Sequence, residues 1–151
     1  MAGTPMPTGA KAMAAICFAV VGWITAHVYV QNMEIATSVG RLREITALIG
    51  AIVGWRVMGN SVGKGYFRAI GSGWKTMVVL VVLTLLAFGL VEMLELSVKM
   101  RYNGPIEAIL DVFQRMLDRS FPLATVPVMA VMLIGGGIAG MLTENANRRW
   151  R

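Results

Sequence analysis

Charge is scarce in this chain. Only 15% of its 151 residues are Asp, Glu, Lys or Arg, against about 25% in an ordinary soluble domain. Cysteine occurs once, as Cys17, which excludes an internal disulfide. Histidine also occurs once, as His27, so no haem or zinc ligand set of the His/Cys type can be assembled. No nucleophile and base stand at a motif spacing, so no catalytic, cofactor-binding or metal-binding residue is assigned and the chain reads as non-enzymatic. The net charge of +6 does not gather Lys and Arg on one face with interleaved aromatics, and this excludes a nucleic-acid surface.

What the chain has instead is grease, at 56% hydrophobic residues, arranged in runs of spanning length. In hydrocarbon every backbone polar group needs an internal partner, so such runs predict an all-α integral membrane protein. Four transmembrane helices are expected, at about 12–30, 42–58, 76–96 and 120–142, within a single membrane domain covering 1–151. The second is the weakest: "ITALIGAIVGWRVM" spans only with Leu42 and with Arg41, Arg43 and Arg56 snorkelling at its ends. The first run is too long for a typical signal-peptide core, and Ile16 stands where a lipoprotein needs a small residue before Cys17, so it reads as a retained span.

A fifth helix is expected between the third and fourth spans, at about 105–118. In "GPIEAILDVFQRMLDRS" Ile106, Ile109, Leu110, Phe113, Met116 and Leu117 recur at i, i+3, i+4 and i+7, with Glu107, Asp111, Arg115 and Asp118 opposite. Pro105 suits the first helical position, and Glu107 suits the positive end of the helix dipole. Too short and too polar to span, this helix is expected in the plane of the outer interface with its Ile109/Phe113/Leu117 face buried.

Charge sets the orientation. With the N-terminus in the cytoplasm, eight basic residues fall inside and six outside, while seven of the eight acids fall outside. The 59–75 segment is expected to be a flexible basic loop without acids. Both termini are therefore placed in the cytoplasm, in a multi-pass protein of the bacterial inner membrane whose partners are the lipid bilayer and other membrane subunits or further copies of itself.

"GGGIAG" at 135–140 has the formal G-x-G-x-x-G pattern, but it lies inside an apolar run with no strand before it. Small residues at i and i+4 instead predict close helix packing through Gly135, Gly136 and Gly140, echoed by Gly50 and Gly54. "GNSVGKGY" lacks one residue between its glycines for a phosphate loop, and Gly65 stands where Ser or Thr would be needed. Of the acids, Glu95 and Asp111 have Lys99 and Arg115 at i+4, and only Glu92 lacks a local partner. Solvated or ion-paired surface is favoured for this group over a contact with a partner protein, and that over a metal or proton site. The partner-contact candidates are Glu92, Tyr102, Gly104, Pro105, Glu107 and Asp111.

Taken together, "YNGPIEAILDVF" after a span ending in "EML", the stretch "GAIVGWRVMG" followed by "GKGY", the glycine-rich last span and the terminal "RRWR" resemble the TrgA family of small alphaproteobacterial membrane proteins. "MPTGAKAMAAICFAVVGW" also resembles that family's start, which would make Met6 the usual first residue in place of Met1. The resemblance runs from residue 6 to 151 and implies a four-span inner-membrane protein linked to tellurite tolerance. It carries over no catalytic residue. The competing expectations are an accessory transmembrane subunit of a photosynthetic or respiratory complex, packing by its glycine-rich faces, and an oxyanion transporter.

Overall fold

A computed structural model describes residues 9–31, 41–61, 63, 65–98 and 104–149. The described residues are helical throughout apart from short turns. The helices are α1 (Gly9–Gln31), α2 (Leu42–Val53) running into a π-helical turn (Gly54–Met58), α3 (Tyr66–Val98), α4 (Pro105–Ser120), a 3-10 turn (Phe121–Ala124) and α5 (Val126–Arg149). Three of them, α1, α3 and α5, are long and apolar enough to cross a membrane.

The packing is inside-out relative to a soluble bundle. The inner face of α1 is built largely of small residues, Ala10, Ala14, Gly22, Thr25 and Ala26, while Ile16 at 61% exposure and Val20 at 52% point outward. Leu48, Ile52 and Val78 are likewise exposed on α2 and α3. Water would not tolerate so continuous an apolar surface, but lipid does, and small inner residues let helix backbones approach. The large buried side chains, among them Phe18, Met58, Met77 and Leu80, fill the centre left between those close crossings.

Those crossings set the topology. Gly22 lies opposite Thr46, Gly50 opposite Phe18, Gly54 opposite Ala14 and Gly59 opposite Lys11, so α2 and its π turn run antiparallel along α1. A Cβ on Gly54 would fall 2.6 Å from the Ala14 carbonyl oxygen. On the other side Gly73 meets Gly136 and Gly140 meets Ala69, which pairs α3 antiparallel with α5. The start of α1, Gly59, the start of α3 and the end of α5 therefore share one end of the bundle.

Several expectations change. The segment expected as a second span is not a single α-helix: α2 has 12 residues, and the backbone then widens, Gly59 N–H donating to the Gly54 carbonyl at 2.9 Å. The third helix starts ten residues before the expected 76, because Gly71 and Gly73 do not break it, so the expected 59–75 loop is helical from Tyr66 onward. The fourth apolar helix begins at Val126, after the Pro122-containing 3-10 turn, and continues through Arg149 rather than ending at 142.

The fifth helix forms as Pro105–Ser120 but folds back along α3. Its buried residues are Ala108 and Val112, the latter seated against Gly89. Ile109, Phe113 and Leu117, the face expected to sit in the membrane interface, are exposed and do not pack on α3. The physical reason is size: a narrow Ala/Val stripe fits the notch at Gly89 more closely than the bulky stripe does.

Candidate functional site

The ion-paired side chains among the described residues gather at the two ends of the bundle. At the end away from the termini, Glu92 stands on α3 six residues before its close at Val98, where α4 lies alongside. Its Oε1 accepts from Arg115 Nη1 at 2.6 Å and its Oε2 from Arg119 Nη2 at 2.6 Å. Arg115 also donates from Nε to Asp111 Oδ2 at 2.7 Å. Arg115 and Arg119 are one turn apart on α4, so both guanidiniums reach the same carboxylate. Two acids and two arginines thus neutralise one another, each about one-third exposed.

The cluster is tied to the rest of the bundle. Tyr29, buried near the end of α1, donates its hydroxyl to the Arg119 carbonyl at 3.0 Å. Beneath Arg119 lies an apolar cavity of about 50 Å³ walled by Ala26, Leu80, Leu85, Phe88 and Leu123. Thr46 and Thr84 also line it, and their buried hydroxyl oxygens have no hydrogen-bond partner among the described residues.

The opposite end holds a group that the sequence did not announce. Glu144 of α5 is 2% exposed, and its carboxylate accepts from the Gly63 amide at 2.8 Å and the Gly65 amide at 3.3 Å. Gly63 and Gly65 have φ of 92° and 95°, the left-handed region where glycine carries no steric penalty, and this turns both amides toward one acceptor. Arg148 Nε approaches the same carboxylate at 3.7 Å, while its guanidinium lies 4.4 Å from the Tyr66 ring centre. The loop that failed as a phosphate motif does hold an oxyanion, supplied by the chain's own last helix. A lone acid near a basic C-terminus, with two glycines two residues apart in a distant loop, was the available signal.

Among the sequence candidates, the structure joins Glu92 and Asp111 through Arg115. Glu107 is exposed in the first turn of α4, Pro105 opens that helix, and Gly104 precedes it with extended backbone at φ −172°. Tyr102 and Lys99 lie outside the described residues. Gly50 and Gly54 face α1, Gly136 and Gly140 face α3, and Gly135 faces Val21 of α1. His27 stacks on Trp23 with ring centres 5.5 Å apart, and its Nε2 lies 3.2 Å from the Gln31 amide nitrogen. The described residues hold no group of three His, Cys, Asp or Glu side chains that could share a metal ion. In comparisons with known proteins, no family model, curated protein or solved structure matches the chain.

Proposed function

We propose that this chain is a non-enzymatic protein of the bacterial inner membrane, with four crossings and both termini in the cytoplasm, of the tellurite-tolerance type that its sequence resembles. The observation that carries the reading is how the interior charges are used. Glu92 is held by two arginines and Glu144 by two amides and an arginine, so these carboxylates serve the fold. The length of α3 between Lys75 and Glu92 carries no charged side chain, which favours a scaffold over an oxyanion carrier built around a polar midplane.

The fourth crossing is α2 with its π turn. It reaches about 26 Å at helical rise, and glycine contacts set it beside α1 along most of that length. Charge supports the orientation. Lys11, Arg56, Arg68, Lys75, Arg148 and Arg149 lie toward the end that holds the termini, and Glu144 is the one described acid there. In a Cys17→Ala background, Asn60→Cys is expected to react with a membrane-impermeant maleimide only from the cytoplasmic side and Asp118→Cys only from the periplasmic side. Periplasmic labelling of Asn60→Cys overturns the orientation.

The functional reading is tested by growth on potassium tellurite. A strain lacking the gene is expected to lose tolerance and to regain it with the wild-type chain. Equal growth of the deletion and parent strains removes the tolerance role. The second reading, an accessory subunit of a larger membrane complex, is supported by the open Ile109/Phe113/Leu117 face of α4. A stoichiometric protein that co-purifies in mild detergent, and is lost on Phe113→Asp, would favour it.

A further inference from the structure

The first three turns of α3 differ from the rest of that helix. Ala69, Gly73 and Met77 are buried on one side. On the opposite side Phe67, Arg68, Gly71, Trp74 and Lys75 are all exposed, at spacings that keep them on one arc of the helix. Beyond Lys75 the same arc turns purely apolar, with Val78 and Val82 exposed. Neither Arg68 nor Lys75 takes part in an ion pair among the described residues.

Depth fixes what these cations meet. The sixteen residues between Lys75 and Glu92 rise about 24 Å, close to the hydrocarbon thickness of a bilayer once the flanking side chains snorkel. That puts Lys75 at the hydrocarbon edge and Arg68 about 10 Å further out, within the layer of lipid headgroups. Gly71 stands three residues after Arg68 and four before Lys75, so it shares their face, and a Cβ there would meet nothing within 4 Å. The result is an open notch flanked by two unpaired cations. Phe67, 92% exposed, borders it, as does Trp74, whose indole is anchored by its N–H donating to the Leu133 carbonyl at 3.0 Å. An indole of this kind settles at the headgroup level.

We propose that the Phe67–Lys75 face of α3 seats the phosphate of an anionic glycerophospholipid, with Arg68 and Lys75 as the cations that hold it and Gly71 as the space it occupies. The proposal rests on the reading that α3 crosses a bilayer and adds a lipid preference to it. The shared chemistry is a phosphate between two cations. The bilayer headgroup is the chosen source because Trp74 aligns the notch with the membrane surface.

The test is native mass spectrometry of the full chain, purified in mild detergent, with dioleoylphosphatidylglycerol or dioleoylphosphatidylcholine added in turn. The wild type is expected to retain phosphatidylglycerol roughly tenfold better than phosphatidylcholine, as two cations near an anionic headgroup would give. Arg68→Gln with Lys75→Gln should abolish that preference, whereas the charge-keeping pair Arg68→Lys with Lys75→Arg should keep most of it. Arg149→Gln, which removes an exposed cation elsewhere at the same end, should leave it intact. Circular dichroism confirms that each variant keeps its helix content. Equal retention of the two lipids by the wild type overturns the proposal, as does a preference that survives the double Gln variant. Inorganic phosphate giving the same adduct without lipid overturns the headgroup as its source. A chain that is absent from the membrane fraction fails the earlier reading, whereas one that is embedded but indifferent to headgroup fails only this one.

Discussion

Two alanine substitutions, two residues apart on α3, are expected to move stability in opposite directions. Gly73 touches the Gly136 backbone, so the added methyl of Gly73→Ala must push α5 away from α3. Overpacking of this kind costs about 1–3 kcal/mol, and more when the obstacle is backbone that cannot rotate aside. Gly71 faces open space, so Gly71→Ala removes a flexible residue from a helix interior and is expected to gain up to about 1 kcal/mol. Thermal unfolding of both variants in mild detergent, followed by circular dichroism, measures the difference. Equal shifts would mean that the α3–α5 contact is looser than described. The same logic at Gly140, which abuts the Ala69 carbonyl, makes Gly140→Leu a variant expected to yield little folded protein.

Glu144→Ala is the second large effect. It leaves the Gly63 and Gly65 amides without their acceptor and frees both glycines from α5. Hydrogen bonds to a charged acceptor are worth more than neutral ones, so a loss of roughly 2–4 kcal/mol is expected. Glu144→Gln retains a carbonyl oxygen and should lose less. The local signature is faster trypsin cleavage after Lys64 in the Ala variant, with the helices otherwise intact. Cleavage at the wild-type rate would show that the carboxylate does not hold the loop.

Legibility in the sequence followed the kind of information each feature depends on. The apolar cores of α1, α3 and α5 were readable because spanning length and the absence of charge are properties of composition alone. The start of α3 was hidden, since "GKGYFRAIGSGWK" has four glycines and the look of a loop. Gly71 and Gly73 are helical all the same, Gly73 because it is needed for contact with Gly136, a reason that lies on another helix. The π turn at Gly54–Met58 was equally invisible, being a backbone adjustment rather than a side-chain pattern.

For α4 the periodicity correctly grouped the residues that share a face. It could not say which face another helix would cover, and the small pair Ala108 and Val112 took that place beside Gly89. The i+4 rule found the Asp111–Arg115 pair. It missed the bridge from Arg115 and Arg119 to Glu92, which exists only once α4 has folded back. Glu144 escaped for a related reason: the amides that hold it, at Gly63 and Gly65, lie 81 and 79 residues away in the chain.

The pairing of α2 with α1 has a consequence for how the chain is made. A helix of 12 residues with a widened turn behind it, and with Arg41, Arg43 and Glu44 at its start, is a weak stop signal for the insertion machinery when it emerges alone. By then α1 has already left the ribosome and offers a complementary groove at Ala14, Phe18 and Gly22. On the proposed four-crossing reading, integration of the second segment is a pairwise event, in which α1 acts as a template that admits its neighbour. The order of the helices along the gene is thus part of the assembly route, and a permuted chain that began at α2 would have to enter the bilayer without its guide.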